Sequence, residues 1–374
     1  MTPLLSYLTA RQADILQDIE TLVKEESPSH DKQAVDECGK VLISLFREHL
    51  GIEPEILAQT ERGNHLRFTI GQGEEQILIL AHFDTVWDKG RLTYRVEGNK
   101  AYGPGIYDMK GGIVQSLWAI KACQELHLPL NKKIVFLCTS DEEIGSASSR
   151  SYIEEEAKKS QVVLVVEPPV ANSGALKTSR KGVSVYNIAF KGKSAHAGNH
   201  HKDGISAVDE MARQILYLHS LTDYEKHTTL NVGIAQGGTR VNVVAESAQI
   251  RIDVRIKTLA EAERIHSLIT GIQPQLPGIT LEITGGESRP PMERTKETER
   301  LFQLARECGN TCGLELEEDF AGGGSDGNFT AALGIPTLDG LGVVGDGPHA
   351  EYEHILIDQL PLRTALFGTL LTKL

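Results

Sequence analysis

His82-Phe-Asp84-Thr-Val, Gly-Ile-Tyr-Asp108-Met-Lys-Gly-Gly and Ser-Asp-Glu142-Glu143-Ile-Gly bring imidazole and carboxylate groups in behind apolar, strand-like runs. Asp108 lies 24 residues after Asp84 and 34 before Glu142, and a carboxylate between two such clusters is suited to bridging two metal ions. In a strand, residues two apart share a face, so His82 could ligate a metal while Asp84 holds its other ring nitrogen. Glu142 and Glu143 are adjacent and repel unless a cation or a proton lies between them. One as ligand and the other as base is the division that metal-assisted hydrolysis needs. Glu167 ends the apolar run 162–166 and precedes Pro168-Pro169, where a charge is costly unless exposed or paired. The segment Gly345-Asp-Gly-Pro-His349-Ala-Glu351-Tyr-Glu-His354 adds an imidazole, and local spacing does not choose between His349 and His354. Taken singly, each cluster also reads as a solvated polar turn.

The elements that must position these groups follow from periodicity. Apolar residues at helical spacing between 4 and 50 suggest two helices around the loop Ser27-Pro28-Ser29-His30. Strands are expected at 65–70, 76–81, 133–138 and 162–166, the last three continuous enough to be buried on both faces, with a helix over 111–126. That alternation is α/β, with polar groups just after the strands, where open α/β sheets bind ligands. Past Ser179 the pattern becomes strand 183–190, helix 205–218, strands 229–235 and 248–256, helix 259–272 and strand 280–284. This β-α-β-β-α-β order describes a compact α+β, ferredoxin-like unit. After Arg289-Pro-Pro the chain returns to helix, strand and glycine loop, ending in a helix over 357–371. A two-domain chain is therefore expected, with 1–178 and 289–374 as the metal-binding catalytic domain and 179–288 inserted into it. Glu154-Glu155-Glu156 reads as a solvated helix face.

Composition narrows the partners. At 374 residues one hydrophobic core is too few. Lys plus Arg number 38 against 51 Asp plus Glu, and the formal charge of -13 disfavours nucleic acid and anionic membrane. Five scattered cysteines argue against a disulfide framework and for a reducing compartment. No leader pattern and no run of 18 apolar residues is visible, so a cytoplasmic protein without membrane spans is the expectation.

With Val-Glu167-Pro, Lys-Ser-Ala-His196-Ala-Gly and Gly-Gly-Gly-Ser-Asp326-Gly-Asn added, six motifs in order resemble the M20 family of co-catalytic zinc peptidases. The resemblance runs from about residue 10 to 374. Within the family the chain looks most similar to the glutamate carboxypeptidase branch, because the third ligand position carries Glu and the terminal loop reads His349-Ala-Glu351. It implies a zinc-peptidase-like α/β catalytic domain with a mixed, mostly parallel sheet, and a lid that also dimerises. It further implies two divalent ions per subunit, zinc above all, with cobalt or manganese able to substitute. Asp108 would bridge the ions, His82 and Glu167 would complete one site, and Glu143 and His349 the other. Glu142 would be the general base and Asp84 the partner of His82. In the lid, His196 matches the histidine that reaches the scissile carbonyl, often from the other subunit of a homodimer. Asn242 and Arg255 match residues that hold the carbonyl oxygen or the substrate carboxylate, and Arg289 matches a carboxylate binder near the hinge.

The activity so implied is hydrolysis of an amide beside a free carboxylate in a small peptide. The same motifs permit a deacylase of N-acyl amino acids, of the acetylornithine or succinyl-diaminopimelate type. A non-catalytic binding protein on the same fold is the third possibility, and it predicts missing ligands or a missing base, whereas all six motif positions are filled.

Overall fold

The apolar runs become the middle of a six-stranded sheet in the computed structural model, which describes residues 2–374. Its order is Glu55–Leu57, His65–Ile70, Lys133–Thr139, Gln76–His82, Val162–Val165, Thr337–Leu338. The last four strands are mutually parallel and the first two antiparallel, so the sheet is mixed and mostly parallel. Both faces are covered because side chains alternate between two apolar layers. Ile77, Ile79, Ala81, Ile134, Phe136 and Cys138 pack on one side with the helices Gly111–Glu125 and Leu360–Lys373. Leu78, Leu80, Val135, Leu137, Val163 and Val165 pack on the other with Ile153, Ala157 and Phe329.

The chain divides into two units: residues up to 179 with 294–321 and 325–374, and residues 180–293 with 322–324. The second unit holds an antiparallel sheet in the order Thr229–Gly237, Ser247–Ile256, Gly182–Lys191, Thr280–Arg289. Helices Ala207–Ser220 and Leu259–Thr270 share its core with Ile188, Phe190, Ile250 and Ile252. The strand and helix order is ferredoxin-like.

Three features depart from the sequence reading. The N-terminal segment forms three helices, Pro3–Ala10, Gln12–Lys24 and Lys32–Leu50, because the backbone breaks at Arg11 (φ -107°, ψ 9°). Glu156 is no solvated residue. It is 3% exposed, and its carboxylate accepts from Arg67 Nη1 at 2.6 Å, Gln76 Nε2 at 3.0 Å and Lys159 Nζ at 3.0 Å. Three consecutive helical residues span most of a turn, so one of them faces inward. A small antiparallel sheet of Gly345–Asp346, His354–Leu356, Lys100–Tyr102 and Arg95–Glu97 was not expected. Its strands are two or three residues long, too short for a periodic signal. All five cysteines are free and buried. Among the described residues no helix is long and apolar enough to cross a membrane.

Candidate metal centre

Three adjacent parallel strands end together. His82 closes Gln76–His82, Glu142 and Glu143 follow Lys133–Thr139, and Glu167 follows Val162–Val165, with His82 in register with Thr139 and Leu80 with Val165. The small sheet brings in the remainder. Strand Lys100–Tyr102 leads into the turn that carries Asp108, and the neighbouring hairpin loop between Asp346 and His354 carries His349.

His82 Nε2 lies 3.2 Å from Asp108 Oδ1 and 3.5 Å from Glu167 Oε1. His349 Nε2 lies 3.0 Å from Glu143 Oε2 and 3.5 Å from Asp108 Oδ2. Each Asp108 oxygen thus faces a different imidazole. His82, Asp108 and Glu143 each offer a donor atom within 4.8 Å of the others, and so do His82, Glu142 and Glu167. His354 points elsewhere: it is buried, donates Nδ1–H to the Tyr352 carbonyl at 2.9 Å and packs on Tyr102.

Asp84 does more than orient His82. The His82 Nδ1 contact at 3.0 Å is to the Asp84 carbonyl, while the carboxylate is 3.5 Å away. That carboxylate accepts from Ser29 Oγ at 2.7 Å and from the backbone N–H of Glu142 and Glu143, both at 3.2 Å. One buried anion therefore fixes the turn bearing the adjacent pair. With Nδ1–H donated to a carbonyl, the neutral His82 ring keeps its Nε2 lone pair for a metal.

The electrostatics ask for a cation. Hydrogen bonds with Asp108 and then Glu143 push His349 up to about 11. Burial pushes Glu143 up to about 7. Burial would also raise Asp108, but His349 and His82 outweigh it and hold this carboxyl below the ordinary range. His82 is lifted well above its usual value: burial opposes its charge, and Asp108, Asp84 and Glu167 overcome that. Lys110, two residues past Asp108, does not neutralise the cluster, since its Nζ donates to the Glu25 carbonyl at 2.8 Å. Converging carboxylates and imidazoles, of which His82, Asp108, Glu143 and Glu167 are largely withdrawn from water while His349 is exposed, suit divalent ions with mixed oxygen and nitrogen coordination. The donor set fits the two metals expected.

The glycines of the Asp108 motif serve packing. A Cβ on Gly112 would lie 2.1 Å from the Val166 carbonyl, and one on Gly111 2.5 Å from that of Ile106. Only glycine lets this helix start against the strand end that leads to Glu167. Arg363, buried and far along the chain, donates to the carbonyls of Gly174, Gly340 and Gly342. Gly342 in turn donates its N–H to the Glu167 carbonyl at 2.9 Å.

The four remaining expected residues belong to the second unit. His196 is exposed, and its Nδ1 accepts the N–H of Gly198 and of Asn199, each at 3.1 Å, which leaves Nε2 as the protonated nitrogen. The Asn242 carbonyl accepts from Ala197 N at 3.0 Å, so the two segments run side by side. Arg255 forks onto Asp253 at 2.9 and 3.0 Å. Arg289 is buried at the end of Thr280–Arg289, opposite Val183. Sequence reasoning overlooked Ser29, Trp87, Glu353 and Arg363. Ser29 and Glu353 lie within segments singled out for other residues, 27–30 and 345–354, and Trp87 and Arg363 carry no local motif.

Mixed α/β architecture with a paired carboxylate–imidazole cluster at the strand ends defines a metal-dependent hydrolase. The chain belongs to the peptidase family M20/M25/M40, whose model matches residues 78–373. It is 30% identical over 387 residues to carboxypeptidase G2 of Pseudomonas sp. (strain RS-16), covering 98% of this chain and 90% of that one. To the acetylornithine deacetylase of Buchnera aphidicola subsp. Schizaphis graminum (strain Sg) it is 25% identical over 358 residues, 89% of this chain and 91% of that one. The crystal structure of aminopeptidase PepT from Bacillus cereus superposes with a TM-score of 0.80 at 22% identity, covering 97% and 98% of the two chains. The protein is thus a hydrolase of the metallopeptidase and amidohydrolase type.

Proposed function

We propose that this hydrolase cleaves the amide bond beside a free carboxylate, as a glutamate carboxypeptidase-like exopeptidase, with two divalent metal ions, zinc foremost. The observation that carries this is Asp108 with one oxygen towards His82 and the other towards His349, flanked by Glu167 and Glu143. His82, Asp108 and Glu167 would hold one ion, and Asp108, Glu143 and His349 the other. Bound there, the metals would supply Lewis acidity, making water acidic and polarising the scissile carbonyl. Glu142, its backbone held by Asp84, takes the proton of the attacking water on its carboxylate and returns it to the leaving amine. His196 donates Nε2–H to the developing oxyanion. Asn242 and Arg255 help orient the substrate, and Arg289 grips its free carboxylate in a forked pair. Similarity to carboxypeptidase G2 along nearly the whole chain supports the branch, and the Lys-Ser-Ala-His196-Ala-Gly motif supports a homodimer built through residues 180–293. Sedimentation tests that last point: a monomer at working concentration removes any cross-subunit role for His196.

The N-acyl amino acid deacylase reading is supported by the similarity to acetylornithine deacetylase. The two are separated by rates on acyl-glutamate, acetylornithine, succinyl-diaminopimelate and dipeptides with defined zinc, cobalt or manganese. Preference for C-terminal glutamate supports the exopeptidase. Preference for acetylornithine or succinyl-diaminopimelate supports the deacylase, and hydrolysis that survives exhaustive chelation overturns both.

A further inference from the structure

Glu353 is 1% exposed, and its carboxylate collects four N–H donors. Oε1 accepts from the backbone of Tyr107 at 2.9 Å and of Asp108 at 3.1 Å. Oε2 accepts from the backbone of Gly105 at 3.0 Å and from the Trp87 indole at 2.7 Å. A buried carboxylate costs several kcal/mol unless its lone pairs are met, and here each oxygen has two donors. The small sheet explains the meeting. His354 pairs with Tyr102, so the residue before it lands beside the turn that follows Tyr102. That turn has little freedom of its own: Gly105 has φ 69°, a Cβ there would lie 2.4 Å from the Thr85 side chain, and Tyr107 Oη donates to the Pro169 carbonyl at 2.8 Å. Glu353 also ends the loop that carries His349, four residues earlier, which itself sits at φ 61°. Left-handed backbone at a non-glycine residue needs surrounding structure to hold it.

We infer that Glu353 is a positioning residue for the metal centre: by gripping the backbone N–H groups of Gly105, Tyr107 and Asp108 itself from the His349 loop, it sets the spacing between the bridging carboxylate and the opposing imidazole. The inference rests on the metal-centre reading and adds that a residue touching neither metal nor substrate governs metal affinity. A carboxylate that only tied down a loop would affect folding stability alone. Glu353→Gln keeps the shape and one acceptor oxygen but turns an NH2 towards two of the donors. Zinc affinity of full-length wild type, E353Q and Trp87→Phe is measured by competition with a chromophoric chelator, alongside the cobalt absorption spectrum and the thermal midpoint of the metal-free proteins. E353Q is expected to weaken zinc binding about 10- to 100-fold with an altered cobalt spectrum, and W87F about fivefold, the worth of one hydrogen bond. A lower midpoint in E353Q with unchanged zinc affinity and cobalt spectrum overturns the inference. If E353Q does not fold, W87F decides: weaker zinc binding supports the inference and unchanged binding overturns it. Wild type that binds no zinc, cobalt or manganese overturns the metal-centre reading and this inference with it.

Discussion

The proposed mechanism separates Asp108 and Glu142 by role although both are carboxylates in one cluster. Asp108 meets both imidazoles, so Asp108→Ala removes a donor from each half of the centre, and metal analysis of that variant is expected to find both ions lost. Glu142→Ala is expected to keep its metal content while kcat falls by about 10²- to 10⁴-fold, the usual worth of a general acid–base group. A Glu142→Ala enzyme with full turnover would remove the assigned base. Protonation supplies a second test. Without metal, Asp108 and Glu143 push His349 up to about 11, so that ring stays protonated through neutral pH, and His82 is shifted in the same direction. A metal must displace such protons, so loading releases them and affinity rises with pH until they are gone. Calorimetry in buffers of different ionisation enthalpy is expected to show net proton release at pH 7, and zero release would contradict it.

Each of the three adjacent parallel strands contributes a polar group where its hydrogen-bonded run stops, and a helix or loop then fixes the direction of that group. The helix Gly111–Glu125 shows how tight the fit is, since Gly112 touches the Val166 carbonyl immediately before Glu167. Gly112→Ala is expected to destabilise the protein by about 1–3 kcal/mol or more through overpacking. Because the strain falls on the strand end, metal affinity should fall with the thermal midpoint. An alanine variant as stable as wild type would show that the helix can shift at no cost. The strands expected at 76–81 and 133–138 and the helix at 111–126 were legible because continuous apolar runs mark elements buried on all sides. The small sheet that pairs the Asp108 turn with the His349 loop was not, since it depends on contacts between segments some 250 residues apart.

The two units carry separate cores, and the whole metal cluster lies in the first. A ligand stabilises only what it binds, by about 2.7 kcal/mol at a free concentration a hundred times Kd. Hydrogen exchange on the full chain is therefore expected to slow on metal addition around 82–85, 105–110 and 140–146, while the core strands of residues 180–293 stay unchanged. Equal protection in both units would show that metal binding reaches beyond the first.

What could be read along the chain was the set of donor types, their order and the alternation of apolar runs. Those features follow from local chemistry: a strand buried on both faces is continuously apolar, and a carboxylate at its end stands out. Local spacing left His349 and His354 open and the family resemblance chose His349, whereas the inward turn of Glu156, the grip of Asp84 on the Glu142–Glu143 turn and that of Glu353 on Asp108 came from the folded chain alone. Each is a hydrogen bond or ion pair between distant segments, such as the one that joins Glu353 to Tyr107 across 246 residues. Such a bond has no periodicity: the donors are single side chains or backbone N–H groups that every residue but proline carries, and what selects them is where the folded chain brings the segments together.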